Sequence, residues 1–261
     1  MVLAQVSSNG VGVASMVSTK YLIVNADDFG QSSGVNRGII KAYRRGIVTS
    51  ASLMVRWPGA AEASAYAQEH PSLSLGLHVD LGEKVFRGGE WVPLYAVVPM
   101  QDTTAIRGEI SHQLDVFHHL MGRDPSHLDS HQHVHLREPV RSILIEMAQR
   151  LGIPLRQCAA EIGYRGSFYG QTAEGAPLPN VISVEGLIHI METLPAGCTE
   201  LGCHPAEHCD LDTMYRLERL KELRVLCDPQ VRAAITAMGI ELCSFTSFPN
   251  GPERSMRDAP A

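Results

Sequence analysis

The chain has 261 residues, 44% of them apolar and 19% charged, a balance that can bury a core and excludes both a disordered chain and a disulfide-stapled miniprotein. Its formal charge of −6 provides no electrostatic footprint for nucleic acid and no run of Lys and Arg to hold a membrane surface.

Residues 1–18 carry no basic segment and no uninterrupted apolar run, so they read as a flexible tail and not as a signal peptide, and 250–261 read as a second tail. Between them, a single domain over 19–249 is expected. The first strand covers 21–25, and Ser32 or Ser33 then caps a helix that stops at Gly46. A second strand over 47–55, an Ala-rich helix from Pro58 to about residue 69 and a third strand over 74–79 follow. A Gly-rich, Trp-containing excursion over 82–101 leads to a helix capped by Thr103 or Thr104, whose Ile106, Ile110, Leu114 and Phe117 recur at helical spacing. A fourth strand (127–130), a helix (138–151) and a fifth strand (153–157) precede a long Gly- and Pro-bearing excursion over 161–180. A helix over 183–194, a strand over 199–203, two helices flanking Asp228 and Pro229, and a last strand over 241–245 complete the chain.

About seven strands separated mostly by helices predict an α/β fold, a (β/α) barrel. A doubly wound open sheet is the competing architecture. Its dinucleotide-binding version is disfavoured, because the first strand runs into Asp27, Asp28, Phe29 and Gly30 where a G-x-G-x-x-G turn would be needed. The six cysteines form no C-x-x-C pair, which favours a reduced, cytoplasmic chain. A zinc site from Cys203, His204, His208 and Cys209 is disfavoured, since structural zinc sites usually come as two close pairs separated by a longer loop.

In parallel β/α folds, residues at the carboxyl ends of several strands converge on one mouth. Asp27 and Asp28 follow the first strand, His78 ends the third, Asp129 and His131 end the fourth, and His204 follows the strand before the last helices. Adjacent carboxylates there are costly to bury without a cation. An N-cap role is the bland alternative, but Ser32 and Ser33 already supply caps, so a metal ligand beside a general base is the better use. His78 alone would read as a core histidine. Its company changes that: His127, His131, His133 and His135 lie within nine residues, and 127–133 would put His127, Asp129 and His131 on one face if extended. Imidazole plus carboxylate suits a divalent transition metal, with three protein ligands leaving room for water and substrate. His204 is a natural proton donor, or else a buried or capping histidine. No G-x-S-x-G elbow and no phosphate-binding Gly loop occur, and Cys203 is the one candidate thiol nucleophile.

These segments resemble a known family. In order, 21–30 (YLIVNADDFG), 46–50 (GIVTS), 75–78 (LGLH), 127–135 (HLDSHQHVH) and 200–205 (ELGCHP) are similar to the motifs of the YdjC-like carbohydrate deacetylases, which include chitooligosaccharide deacetylases and deacetylase-like proteins of hopanoid synthesis. The resemblance implies a distorted TIM-like barrel of the polysaccharide deacetylase sort, one divalent metal (zinc or magnesium), and removal of acetyl groups from N-acetylated amino sugars. It implies Asp28, His78 and His131 as metal ligands, Asp27 as general base and His204 as general acid. A homodimer is also implied, without an interface signature in the sequence. Asp129 and His133 are expected to orient the ligand imidazoles, and Arg56 and Tyr169, within loops expected at the same mouth, to touch the sugar. A sugar- or metal-binding protein without catalysis would need neither Asp27 nor His204, and a metal phosphoesterase would often need a second ion.

Overall fold

The computed structural model describes residues 19–178 and 180–248. The tails expected over 1–18 and 250–261 lie outside the described residues.

β1 (Lys20–Phe29) is the axis of the fold. β8 (Gly197–Cys203) pairs along one edge of it, while β9 (Ile240–Cys243) and β2 (Ser50–Leu53) share the other, β9 against Lys20 to Ile23 and β2 against Asn25 to Phe29. β3 (Ser74–Val79) and β6 (Leu128–Ser130) extend the sheet beyond β2, and β7 (Ile162–Arg165) extends it beyond β8. Every one of these strands runs parallel to its neighbour, and the sheet curls into an incompletely closed barrel. The expected (β/α) barrel of about seven strands is thus present.

Two strands differ from expectation. The segment 153–157 makes a single bridge, Leu155 to Leu128, and β7, from within the second excursion, supplies a strand instead. The first excursion contains an antiparallel hairpin of β4 (Gly82–Arg87) and β5 (Glu90–Ala96). Its two-residue turn is Gly88 and Gly89, both at positive φ (64° and 90°), the backbone that tight hairpins require and glycine adopts without strain.

The helices follow their sequence signals. In α1 (Ser33–Arg45), Ser32 accepts from the Val35 amide, and Gly46 closes the last turn. α2 (Ala60–Glu69) starts without a side-chain cap. α3 (Thr103–Met121) is capped by Asp102 and not by either threonine, because the Asp102 carboxylate accepts from both the Thr104 and Ala105 amides. Its Ile106, Ile110, Leu114, Phe117 and Met121 are buried, as their spacing predicts. α4 (Val140–Leu151) ends at left-handed Gly152, and α5 (Val184–Glu192), α6 (Leu217–Leu226) and α7 (Pro229–Ala237) complete the outer layer. Among the described residues, no helix is long and apolar enough to cross a membrane.

Candidate metal centre and active-site cavity

β1 runs four residues past its expected end, so Asp27 and Asp28 lie within the strand and are almost completely buried. In a regular strand, neighbouring side chains would face opposite sides. Here the pairing with β2 shifts register between Ala26 and Phe29, and Asp28 takes a left-handed backbone (φ 67°). This irregularity lets both carboxylates line one cavity of about 860 Å³. His78 reaches the same cavity from β3, opposite Asp129 of β6.

After Ser130 the chain leaves the sheet for a short 3-10 segment, His131–Leu136, with Gln132 and His133 at positive φ. This turn, and not an extended run, brings His131 to the cavity. His127 does not line the cavity: its ring stacks on Phe245 with centroids 3.7 Å apart, its Nε2 shares the Ser52 hydroxyl with Asp129, and burial pushes its pKa down to about 3. It shares a side with Asp129, as an extended strand predicts, but stands apart from Asp28, His78 and His131 because the chain is not extended beyond Ser130.

Asp28, His78 and His131 do come together. Asp28 Oδ1 lies 3.3 Å from His78 Nε2 and 3.1 Å from His131 Nδ1, while Asp28 Oδ2 accepts from Arg219 at 2.6 Å. Tetrahedral zinc with bonds of about 2.0–2.1 Å holds its ligand atoms about 3.3 Å apart, so these spacings fit such an ion. The other ring nitrogen of His131, Nε2, faces Glu83 Oε2 at 3.4 Å, which leaves Nδ1 as the atom turned to Asp28. Burial raises the Asp28 pKa, but Arg219 and His131 outweigh it and hold the carboxyl well below its usual range. Burial likewise opposes charge on His131, yet Asp28 and Glu83 bring its pKa up to about 9. A second group, Asp27, His78 and Asp129, has suitable atoms too. Arg156 already fills it: the guanidinium donates to both oxygens of Asp27 (2.6 and 2.7 Å) and lies 2.7 Å from Asp129 Oδ2. A metal cation there would face a buried arginine, so the Asp28 group is the better candidate.

Asp129 sits behind His78, accepting from Nδ1 at 2.8 Å and leaving Nε2 for the cavity. His133 lines the cavity but touches Tyr164 (3.4 Å to its hydroxyl), and neither His78 nor His131 is among its hydrogen-bond partners. His204 follows β8, with Nε2 3.7 Å from Asp27 Oδ2, and its backbone amide donates to Glu222. Burial pushes its pKa down to about 4 in spite of Asp27 and Asp28, so the ring rests neutral at pH 7. Tyr169 lines the cavity, stacked on Tyr215 at 4.3 Å and edge-on to His204. Arg56 does not line it, being engaged outside by Glu109 (3.1 Å) and Asp80 (3.7 Å). Cys203 is no nucleophile either: burial drives its thiol pKa well up, and Sγ bonds the Asn25 carbonyl. Cys209 Sγ bonds the Arg216 carbonyl, so the two thiols are spent on backbone and not on a shared zinc site.

Four charged side chains are not marked by the ligand pattern in the sequence: Arg156, Glu200, Arg219 and Glu222. Arg156 and Glu200 join each other at 2.7 Å beneath Asp27, and Arg219 and Glu222 project from one face of α6. Charged residues at positions 219 and 222, among the apolar Leu223 and Leu226 of that face, are the available signal.

The sequence matches the family described as YdjC-like protein over residues 21–237. A carbohydrate deacetylase of Geobacillus stearothermophilus is 32% identical over 88% of this chain and 98% of its own length. A chitooligosaccharide deacetylase of Serratia marcescens is 34% identical over 87% and 98%. A solved structure from Enterococcus faecalis V583, whose name suggests cellobiose-phosphate cleavage, superposes with a TM-score of 0.70 at 25% identity, covering 88% of this chain and 98% of that one. A peptidoglycan N-acetylglucosamine deacetylase superposes with a TM-score of 0.54 at 11% identity, covering 90% of each chain, a likeness of fold alone.

Proposed function

This chain belongs to the YdjC-like family, and on that premise we propose that it is a metal-dependent hydrolase removing the acetyl group from an N-acetylated amino sugar or oligosaccharide. The observation that carries this reading is the convergence of Asp28, His78 and His131 on one cavity wall, with Asp27 and His204 beside them. The names of the two deacetylase relatives support the substrate class.

Asp28, His78 and His131 would hold one zinc or magnesium ion, which supplies Lewis acidity at the acetamide carbonyl and makes water a stronger acid. The remaining work falls to the chain. Arg156 holds Asp27 by two charge-assisted bonds, and Asn25 donates to Asp27 Oδ1 at 2.9 Å. Burial alone would raise the Asp27 pKa, but Arg156 outweighs it and keeps the carboxyl below its usual range. Asp27 is thus an ionised, fixed acceptor for the proton of the attacking water. His204, neutral at rest, has Nε2 3.7 Å from Asp27 Oδ2. It can receive that proton and deliver it to the departing amine, so the general acid is charged during the cycle and not before it.

The test is to load the protein with zinc or magnesium and measure free amine and acetate from N-acetylated oligosaccharides, together with metal stoichiometry. One ion per chain with amine release is the expected result. Sugar binding without amine release in the loaded protein would leave a non-catalytic binder. Two ions with phosphate-ester cleavage would replace the reading with a phosphoesterase.

A further inference from the structure

Trp91 is 45% exposed, a large apolar side chain left at the surface. Single exposed apolar side chains are ordinary and call for no explanation. This one belongs to a stripe. Trp91, Pro93 and Tyr95 alternate along β5 and all line the cavity that holds the metal-ligand group, so they share the face of the hairpin that looks into it.

The register of the hairpin gives this stripe a direction. At its root, Glu83 pairs with Tyr95, Glu83 Oε2 lies 3.4 Å from His131 Nε2, and the Tyr95 hydroxyl donates to Asp80 at 2.9 Å. At its tip, Phe86 pairs with Trp91, just before the Gly88 and Gly89 turn. Glu83 and Phe86 are three positions apart, which at strand rise is about 10 Å. Trp91 therefore stands on the outward side, beyond the span of the sugar whose acetamide is seated at the ligand group.

The hairpin is also fixed in place. The Gln132 side-chain amide bonds both the amide (2.9 Å) and the carbonyl (2.8 Å) of Lys84, tying β4 to the turn that carries His131. Thr213 donates to Glu83 at 2.6 Å from the other side. Phe86 meets the indole edge to face, with centroids 5.8 Å apart, and holds its tilt. A pinned, partly exposed indole along a sugar-sized cavity is suited to stack on the apolar face of a pyranose ring.

We propose that Trp91 is the stacking platform for the sugar next to the one deacetylated, the residue through which this cavity tells an N-acetylated chain of two or more sugars from a single N-acetylated sugar. The proposal rests on the deacetylase reading above. Tyr169, beside His204, belongs to the reacting sugar, and Trp91 to its neighbour.

The test compares the metal-loaded full chain with Trp91→Ala and Trp91→Phe on N-acetylglucosamine and its β-1,4-linked disaccharide, with disaccharide binding followed by calorimetry. In Trp91→Ala, the ratio of kcat/KM for disaccharide over monosaccharide should fall about 3- to 10-fold, the worth of one aromatic stacking contact, through KM, with weaker disaccharide binding. Trp91→Phe should recover part of both. Equal losses on the two sugars would make Trp91 a structural prop and overturn the proposal, as would an unchanged ratio. Amine release by the wild-type chain with an unchanged ratio in Trp91→Ala removes only this inference. Failure of the wild-type chain to bind or cleave either sugar removes the deacetylase reading with it.

Discussion

Asp27→Asn and Asp28→Asn, made as a pair, separate the two carboxylates by what each touches. Asp27 accepts two bonds from Arg156 and one from Asn25. An amide keeps only one accepting oxygen, so its NH2 group must face a donor, and at least one charge-assisted bond is lost, at about 1.5–3 kcal/mol of stability. Asp27 has no part in the Asp28, His78 and His131 group, so the variant should keep its metal. It should lose turnover by about 10²- to 10⁴-fold, equivalent to about 3–5 kcal/mol of barrier, because an amide cannot take the proton of water. In Asp28→Asn the ligand oxygen loses its charge, and the buried Arg219 loses its anionic partner, a break worth about 3–5 kcal/mol. That variant should lose metal and melt earlier. Metal content after desalting, thermal melting and amine release are the three readouts. If Asp27→Asn released the metal and Asp28→Asn kept it, the ion would sit among Asp27, His78 and Asp129, and the two carboxylates would exchange roles. Wild-type turnover in Asp27→Asn would reject the mechanism outright.

The surrounding network leads to two more outcomes. Asp129→Asn should weaken metal binding about 10- to 100-fold without abolishing it, because the carboxylate holds the His78 Nδ1 proton and thereby presents Nε2; a metal titration showing unchanged affinity would remove Asp129 from that role. Glu200→Gln tests the buried charge beside Arg156. Burial lifts the Glu200 pKa from 4.5 to about 7 even against Arg156, so from pH 4.5 to 7 the unfolded chain has already released a proton that the folded chain still holds. Stability from this group is present below pH 4.5 and is lost as pH rises to about 7, by about 3 kcal/mol at 1.36 kcal/mol per unit. The melting temperature of Glu200→Gln relative to wild type should therefore climb across that window and level off above it, and a flat difference would contradict the assigned shift.

The candidate ligand residues are legible in the sequence because each stands at or next to the carboxyl end of a strand, and strand ends can be read locally. β3 occupies the expected 74–79, and α1 begins at Ser32 and closes at Gly46 as its caps predict. What the sequence hides is whatever reaches those residues from elsewhere. β7 is a half-buried Ile-Gly-Tyr-Arg segment whose pairing depends on β8, over thirty residues on, while 153–157 has the better apolar pattern but only one bridge. Local propensity ranks these two segments in the wrong order, because sheet membership is decided by the neighbour that comes alongside. Arg219 meets Asp28 across 191 positions, so the charge that would mark it as a solvated helix residue is the reason it is buried. Arg56 shows the converse error: a guanidinium just past a strand is expected at the sugar, but Glu109 of α3 claims it first. Arg156 is within reach of the sequence. It follows Leu155, the one bridged residue of the fifth segment, so the rule that selects His78 and His131 applies to it equally. An arginine at that place cannot serve as a metal ligand, so a ligand pattern does not mark it. The need to keep a buried Asp27 ionised does, because a buried carboxylate at a strand end calls for a cation at the same end of the sheet, and Arg156, just past Leu155, supplies that guanidinium.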